Sequence, residues 1–233
     1  MKTYALIGGS STIAQTLIKS LENQEVNLLV YSRSENLFPK QSNVSWKQFD
    51  ILKDEFNPSE MPSSVDALVY FPGTINLKPF NTLKAEDFQN DYEINFLGTV
   101  NAIKAFYRPL RKSGNGSIVL FSTVAAKAGM PYHASIASAK AAVEGLTRSL
   151  AAEFAPHIRV NCIAPSLTET QMASKLLSNE ERRSSIAQRN PMKRIGKPEE
   201  LANLVEFLAG EKSSWITGQI IGIDGGMSTL NLS

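Results

Sequence analysis

The stretch Thr3-Tyr-Ala-Leu-Ile-Gly8-Gly9-Ser10-Ser11-Thr12-Ile13-Ala14 runs from an apolar segment through two glycines into a Ser/Thr-rich turn. Beyond it Ile13, Leu17 and Leu21 recur every four residues, the spacing of one face of a helix. The sequence therefore predicts a strand, a tight turn and a helix in immediate succession. Such a turn presents the backbone N–H groups of Ser10, Ser11, Thr12 and Ile13 beside the positive end of the helix dipole, where a pyrophosphate can sit. Gly8 can adopt the backbone angles the turn requires, and Ala14 is small enough for the helix to pack close to the strand. If this is the first crossover of a doubly wound sheet, it lies where dinucleotides bind.

The rest of the chain supplies that sheet. Short runs rich in Val, Ile, Leu and aromatics at 26–31, 65–71, 117–122, 158–164 and 219–223 read as strands buried on both faces, with 44–49 a weaker seventh. Helical patterns lie between them. Residues 88–107 form a long helical segment expected to bend or end near Pro109. Ile136, Ala139, Val143, Leu146, Leu150 and Phe154 make one apolar stripe, and 201–208 is the last long helix. Alternation of this kind predicts an α/β fold of the Rossmann type, a parallel sheet with helices on both faces. No internal repeat or linker divides residues 1–233, so a single domain is expected. From 171 to 198 no strand appears. Lys175, Arg182, Arg183, Arg189, Lys193, Arg194 and Lys197 there face only Glu180 and Glu181. Such an insertion near the carboxyl ends of strands is either a substrate lid or a solvated helical excursion.

Composition narrows the function classes. The 233 residues carry 24 Lys+Arg against 22 Asp+Glu, a formal charge of +2 that argues for neither nucleic acid nor a membrane surface. A lone cysteine, Cys162, cannot form an intramolecular disulfide, and His133 and His157 are too few for a His/Cys zinc site. No apolar run approaches the ~20 residues of a membrane span, and the N-terminus lacks a secretory pattern. A cytoplasmic protein is expected.

The motifs together resemble the short-chain dehydrogenase/reductase family, near its 3-oxoacyl-carrier-protein reductase branch, over essentially the full length. The family's Gly-x-x-x-Gly-x-Gly is matched by Gly8, Thr12 and Ala14. Arg159-Val-Asn-Cys-Ile-Ala-Pro165, Arg194-Ile-Gly-Lys-Pro-Glu-Glu and Thr217-Gly-Gln-Ile-Ile-Gly-Ile-Asp-Gly-Gly resemble its C-terminal signatures. The resemblance implies seven parallel strands in the order 3-2-1-4-5-6-7. It also implies a nicotinamide dinucleotide held by the Gly8 turn and by Asp50 and Ile51 at the adenine. Gly73, the remnant of an Asn-Asn-Ala-Gly motif, Pro165, Thr168, Thr170 and Lys140 complete that set. Ser32 stands at the family's acidic ribose position and Arg33 follows it. A guanidinium suits a 2′-phosphate, so NADP(H) is favoured over NAD(H).

The family's catalytic template is Ser, Tyr and Lys, with a helix asparagine holding a water; here Thr123, Ile136, Lys140 and Asn95 occupy those positions. Ile136 is thirteen residues after Thr123 and four before Lys140, the family spacing, so no shift of register restores a phenol. Isoleucine cannot donate a proton. Three solutions compete. Tyr132 could supply a phenol if Pro131 starts the helix early. A water ordered by Asn95, Lys140 and Thr123 could be the acid. Or the protein could bind nucleotide without turnover, as a pseudoenzyme or sensor. The resemblance thus implies an NADP(H)-dependent oxidoreductase interconverting a carbonyl or acyl substrate and an alcohol, with atypical proton delivery. An acyl-carrier substrate could dock on the basic 171–198 segment. Ala137, Ala141, Ala142, Ala151 and Ala152 permit close helix approach in a homodimer or homotetramer.

Overall fold

A computed structural model describes residues 1–34 and 43–231. Seven strands form one parallel sheet: β1 (Lys2–Ile7), β2 (Val26–Ser32), β3 (Val44–Gln48), β4 (Ala67–Tyr70), β5 (Gly116–Phe121), β6 (Ile158–Pro165) and β7 (Ile220–Ile223). Their spatial order is β3-β2-β1-β4-β5-β6-β7, as expected. The strand limits differ from the sequence reading by one or two residues, since apolarity continues past the last ladder bond.

Alternate side chains divide the sheet between two cores. Tyr4, Leu6, Leu28, Val30 and Val69 pack against helices α1 (Thr12–Ser20) and α6 (Pro198–Ala209) on one face. Ala5, Ile7, Leu68, Ile118 and Cys162 pack against α3 (Gly98–Lys112) and α4 (Ala134–Phe154) on the other. With both faces covered, the strands need continuous apolar sequence, and this is why they were legible. The chain leaves β1 in one direction towards β2 and β3, and in the other towards β4. A crevice therefore opens at the carboxyl ends of β1 and β4.

Two helical expectations need correction. The long segment is not one regular helix: α2 (Ala85–Tyr92) passes through a π turn at Glu93–Leu97 into α3. The Tyr70 hydroxyl donates to the Ile94 carbonyl within that turn at 2.6 Å. Nor does Pro109 end the helix, which runs on to Lys112. Proline so near a C-terminus removes only one intrahelical donor, and the Pro109 carbonyl still accepts from Val65 N–H at 3.1 Å. The basic segment contains α5 (Glu180–Arg189) and a short 3-10 turn at Gln171–Ala173, and Gly196 pairs with Thr168 in an isolated bridge. Among the described residues no helix is long and apolar enough to cross a membrane.

Candidate active site

The turn after β1 is built around Gly8, at φ +80°, where a Cβ would lie 2.8 Å from the Pro72 ring. The N–H groups of Gly8 and Gly9 both donate to the Tyr31 carbonyl, at 2.8 and 3.1 Å, which fixes the turn beside the end of β2. Ser11 caps α1, its hydroxyl accepting from Ala14 N–H at 3.1 Å. Helix geometry then leaves the Thr12 and Ile13 N–H groups without intrahelical partners, at the positive end of the dipole. The Thr12 hydroxyl, where the family has glycine, accepts from Gln171 N–H at 3.0 Å. It thereby ties the start of the basic segment to the turn. Ser10 and Ile13 are half-buried beside it.

At the end of β2 the Ser32 hydroxyl is already engaged. It donates to the Ser34 carbonyl at 2.9 Å, accepts from Trp46 Nε1 at 2.8 Å, and is buried. Arg33 is exposed at the same sheet edge and brings a positive charge to it. Asp50 Oδ1 accepts from Leu52 N–H at 3.1 Å, and the half-buried Ile51 follows it.

The helix α4 carries two of the candidate positions. Ile136 and Lys140 lie one turn apart, both buried. Lys140 Nζ donates to the Phe121 carbonyl at the end of β5, at 2.9 Å. Burial pulls its pKa down to about 8, against the opposing influence of Cys162 and Asp91. The same burial pushes the Cys162 thiol up to about 12. Thr123, at the head of the loop after β5, accepts from Ala125 N–H at 3.3 Å, which leaves its own proton free to donate.

Tyr132 stands differently from the expectation. α4 begins at Ala134 with His133 as its cap, so Pro131 does not start the helix. Tyr132 precedes it with φ +71° and its side chain 59% exposed, because the loop needs a left-handed residue to swing into the helix.

Asn95 sits inside the π turn, wholly buried. Its Nδ2 donates to the Asp91 carbonyl at 2.7 Å and to Thr74 Oγ1 at 3.0 Å, while Oδ1 has no partner. That oxygen and Lys140 Nζ converge on Gly73, at 3.2 and 3.4 Å from where a Cβ would stand. A side chain at 73 would fill the space between them. An orphaned buried acceptor, a buried ammonium and a bare glycine at the mouth of a helix-dipole crevice fit the ribose and nicotinamide end of a dinucleotide. Gly8, Thr12 and Ile13 fit its phosphates.

On the far side, Pro165 ends β6 and Thr168 is buried, donating to the Ser166 carbonyl at 3.1 Å. Thr170 caps the 3-10 turn through Ala173 N–H. Arg183 pairs with Glu169, and Arg194 with Glu200. Arg159 is an anchor within the fold, donating to Ser213 Oγ and to the Leu208 and Gly210 carbonyls. Sequence reasoning missed Thr74, Asp91 and Ser135. The one signal available was the i, i+4 spacing of Asp91 and Asn95, which puts a carboxylate on the face that carries Asn95.

Known proteins share this architecture. A family model described as enoyl-(acyl carrier protein) reductase matches residues 57–228. The chain is 40% identical to the 3-oxoacyl-[acyl-carrier-protein] reductase FabG of Thermotoga maritima over 164 residues, covering 70% of this chain and 66% of that protein. It is 31% identical to a tropinone reductase homolog of Datura stramonium, covering 96% and 91%. A solved structure of ElxO with NADP bound superposes with a TM-score of 0.89 at 29% identity, over 99% of this chain and all of that one. With the glycine turn, the buried α4 lysine and the π-turn asparagine in one crevice, the chain belongs to the short-chain dehydrogenase/reductase family of oxidoreductases.

Proposed function

We propose that this protein is an NADP(H)-dependent oxidoreductase that interconverts a carbonyl and an alcohol, with a water molecule in place of the family's phenol. The observation that carries the reading is the convergence of Asn95 Oδ1 and Lys140 Nζ on the bare face of Gly73, one helical turn from Ile136. A bound nicotinamide supplies or accepts the hydride. The Thr123 hydroxyl donates to the substrate oxygen and holds it as negative charge develops. Lys140 is charged at neutral pH, yet its lowered pKa lets it release a proton. A water between Asn95 and Lys140 gives its proton to the alkoxide and takes one from the ammonium. Tyr132, exposed and outside α4, is the weaker candidate for that task.

Arg33 supports the preference for NADP(H), since it places a cation at the end of β2 and the Ser32 hydroxyl is committed to Trp46 and Ser34. The segment 171–198, tied to the turn through Thr12, acts as the lid of a single-domain enzyme. The alanine-rich α4 favours a homo-oligomer.

The test compares wild type with Lys140→Ala in NADPH-dependent reduction of simple diketones and aldehydes. Turnover in the wild type that is abolished in the variant supports the reading. NADPH binding with no wild-type turnover selects a nucleotide-binding protein without redox activity, for which the missing phenol at 136 is the motivating observation.

A further inference from the structure

We propose that Asp91 is a positioning residue of this site: a buried carboxylate that fixes the Asn95 amide through Thr74 and whose negative charge favours the ammonium of Lys140. The inference rests on the oxidoreductase reading for its catalytic consequence, though not for its structural one.

Asp91 is 2% exposed, unusual for a carboxylate outside an ion pair. It is held by hydroxyls. Thr74 Oγ1 donates to its Oδ1 at 2.5 Å, Ser135 Oγ donates to its Oδ2 at 2.6 Å, and Asn76 Nδ2 approaches Oδ2 at 3.4 Å. Short hydroxyl contacts of this kind are charge-assisted bonds to an ionised acceptor. Ser135 belongs to the first turn of α4, so the carboxylate also lies at the positive end of that helix's dipole. These contacts join α2, the loop after β4 and α4, the three elements that wall the site.

Counting protons fixes the orientation of the amide. A threonine hydroxyl has one, and Thr74 gives it to Asp91. Its oxygen can then only accept from Asn95, which it does through Nδ2. The Asn95 amide is thereby locked with nitrogen inward and Oδ1 towards Gly73 and Lys140. Without the carboxylate, Thr74 is free to donate elsewhere, and one of the two restraints on the amide is lost.

The carboxylate also bears on Lys140. The groups acting on its ammonium are Cys162 from β6 and Asp91 from α2; Glu144, one turn further along α4, is bound to Ser122 Oγ at 2.7 Å. Cys162 is held as a neutral thiol by burial, so Asp91 is the formal anion among those influences. Removing it disfavours the charged lysine.

The experiment uses Asp91→Asn and Thr74→Val, each checked for a native circular dichroism spectrum and cooperative melting. The Lys140 titration is followed by NMR of 13Cε-labelled lysine in the nucleotide-free protein, with Lys140→Met assigning the signal. In Asp91→Asn the Lys140 midpoint falls by about one pH unit, a tenfold change in its proton affinity. In Thr74→Val, which keeps the carboxylate, the midpoint stays within a few tenths. Both variants lose roughly ten-fold or more in kcat at pH 7 with KM for NADPH changed by less than about three-fold, the signature of an interaction used only during chemistry. An unmoved Lys140 midpoint in Asp91→Asn overturns the electrostatic role, and unchanged kcat in both variants overturns the positioning role. If Asp91→Asn does not fold, Thr74→Val alone decides the positioning claim through kcat. If the wild type shows no turnover, the oxidoreductase reading has failed, and the nucleotide-free titration still reads the Asp91–Lys140 coupling.

Discussion

Replacing Lys140 with methionine should make the protein more stable at neutral pH while destroying its function. Lys140 is 7% exposed and its pKa is drawn down from 10.5 to about 8, chiefly by desolvation. That difference of about 2.5 pH units corresponds to about 3 kcal/mol. The lost bond from Nζ to the Phe121 carbonyl takes back about 1 kcal/mol, leaving a net gain of about 2 kcal/mol. For a chain of this size that gain raises Tm by roughly 4–8 °C. The sign follows from linkage. The unfolded lysine holds its proton up to about 10.5 and the folded one only to about 8, so the penalty is fully present below pH 8 and fades as pH rises. Differential scanning calorimetry of wild type and Lys140→Met at pH 7 and near pH 10.5 measures it, because other titrating groups are common to both proteins and cancel. A variant that melts no higher than wild type at pH 7, or whose advantage persists unchanged near pH 10.5, refutes the assignment of Lys140 as a desolvated ammonium kept for chemistry rather than for stability.

Two further outcomes bear on the parts of the site that depart from the family. Ile136→Tyr places a phenol one turn from Lys140 and should raise kcat by roughly 10²–10⁴-fold, the usual contribution of a general acid, with its pH profile taking on a new ionisation. Stopped-flow or steady-state NADPH oxidation reads this, and a variant that folds and binds NADPH but turns over no faster contradicts the account of position 136. Thr12→Gly removes the tie to Gln171 N–H and should speed NADPH dissociation by several-fold through a loosened 171–198 segment. Displacement of bound NADPH in a stopped-flow fluorimeter measures the rate, and an unchanged one shows that Thr12 plays no part in closure.

Much of the fold was legible because parallel strands covered on both faces must be continuously apolar, as Leu28, Val30, Leu68, Ile118 and Val160 are. What sequence patterning could not reveal lies where tertiary contacts override local rules. The π turn at Glu93–Leu97 has no local sequence signal; it fits the packing of α3 and is met by the hydroxyl of Tyr70, twenty-four positions away from Ile94. Pro109 reads as a bend or an end, yet the helix runs one more turn beyond it. For the site, the resemblance to the family's motifs singles out the glycine turn, Asn95, Thr123 and Lys140. The partners that orient them could not be singled out, because Thr74, Asp91 and Ser135 come from three elements and meet only in three dimensions. Tyr132 is the converse case: its nearness in sequence to α4 suggests a phenol at the helix start, whereas the helix begins only at Ala134 and Tyr132 lies before it, left-handed and exposed.

The most direct measurement is a fluorescence titration of the protein with NADPH and with NADH, repeated on Arg33→Ala. Saturable binding of both, tighter for NADPH by roughly ten-fold or more and with that margin lost in Arg33→Ala, is the predicted result for a guanidinium that grips a 2′-phosphate. Failure of either nucleotide to bind, or a preference for NADPH that survives the loss of Arg33, contradicts the account.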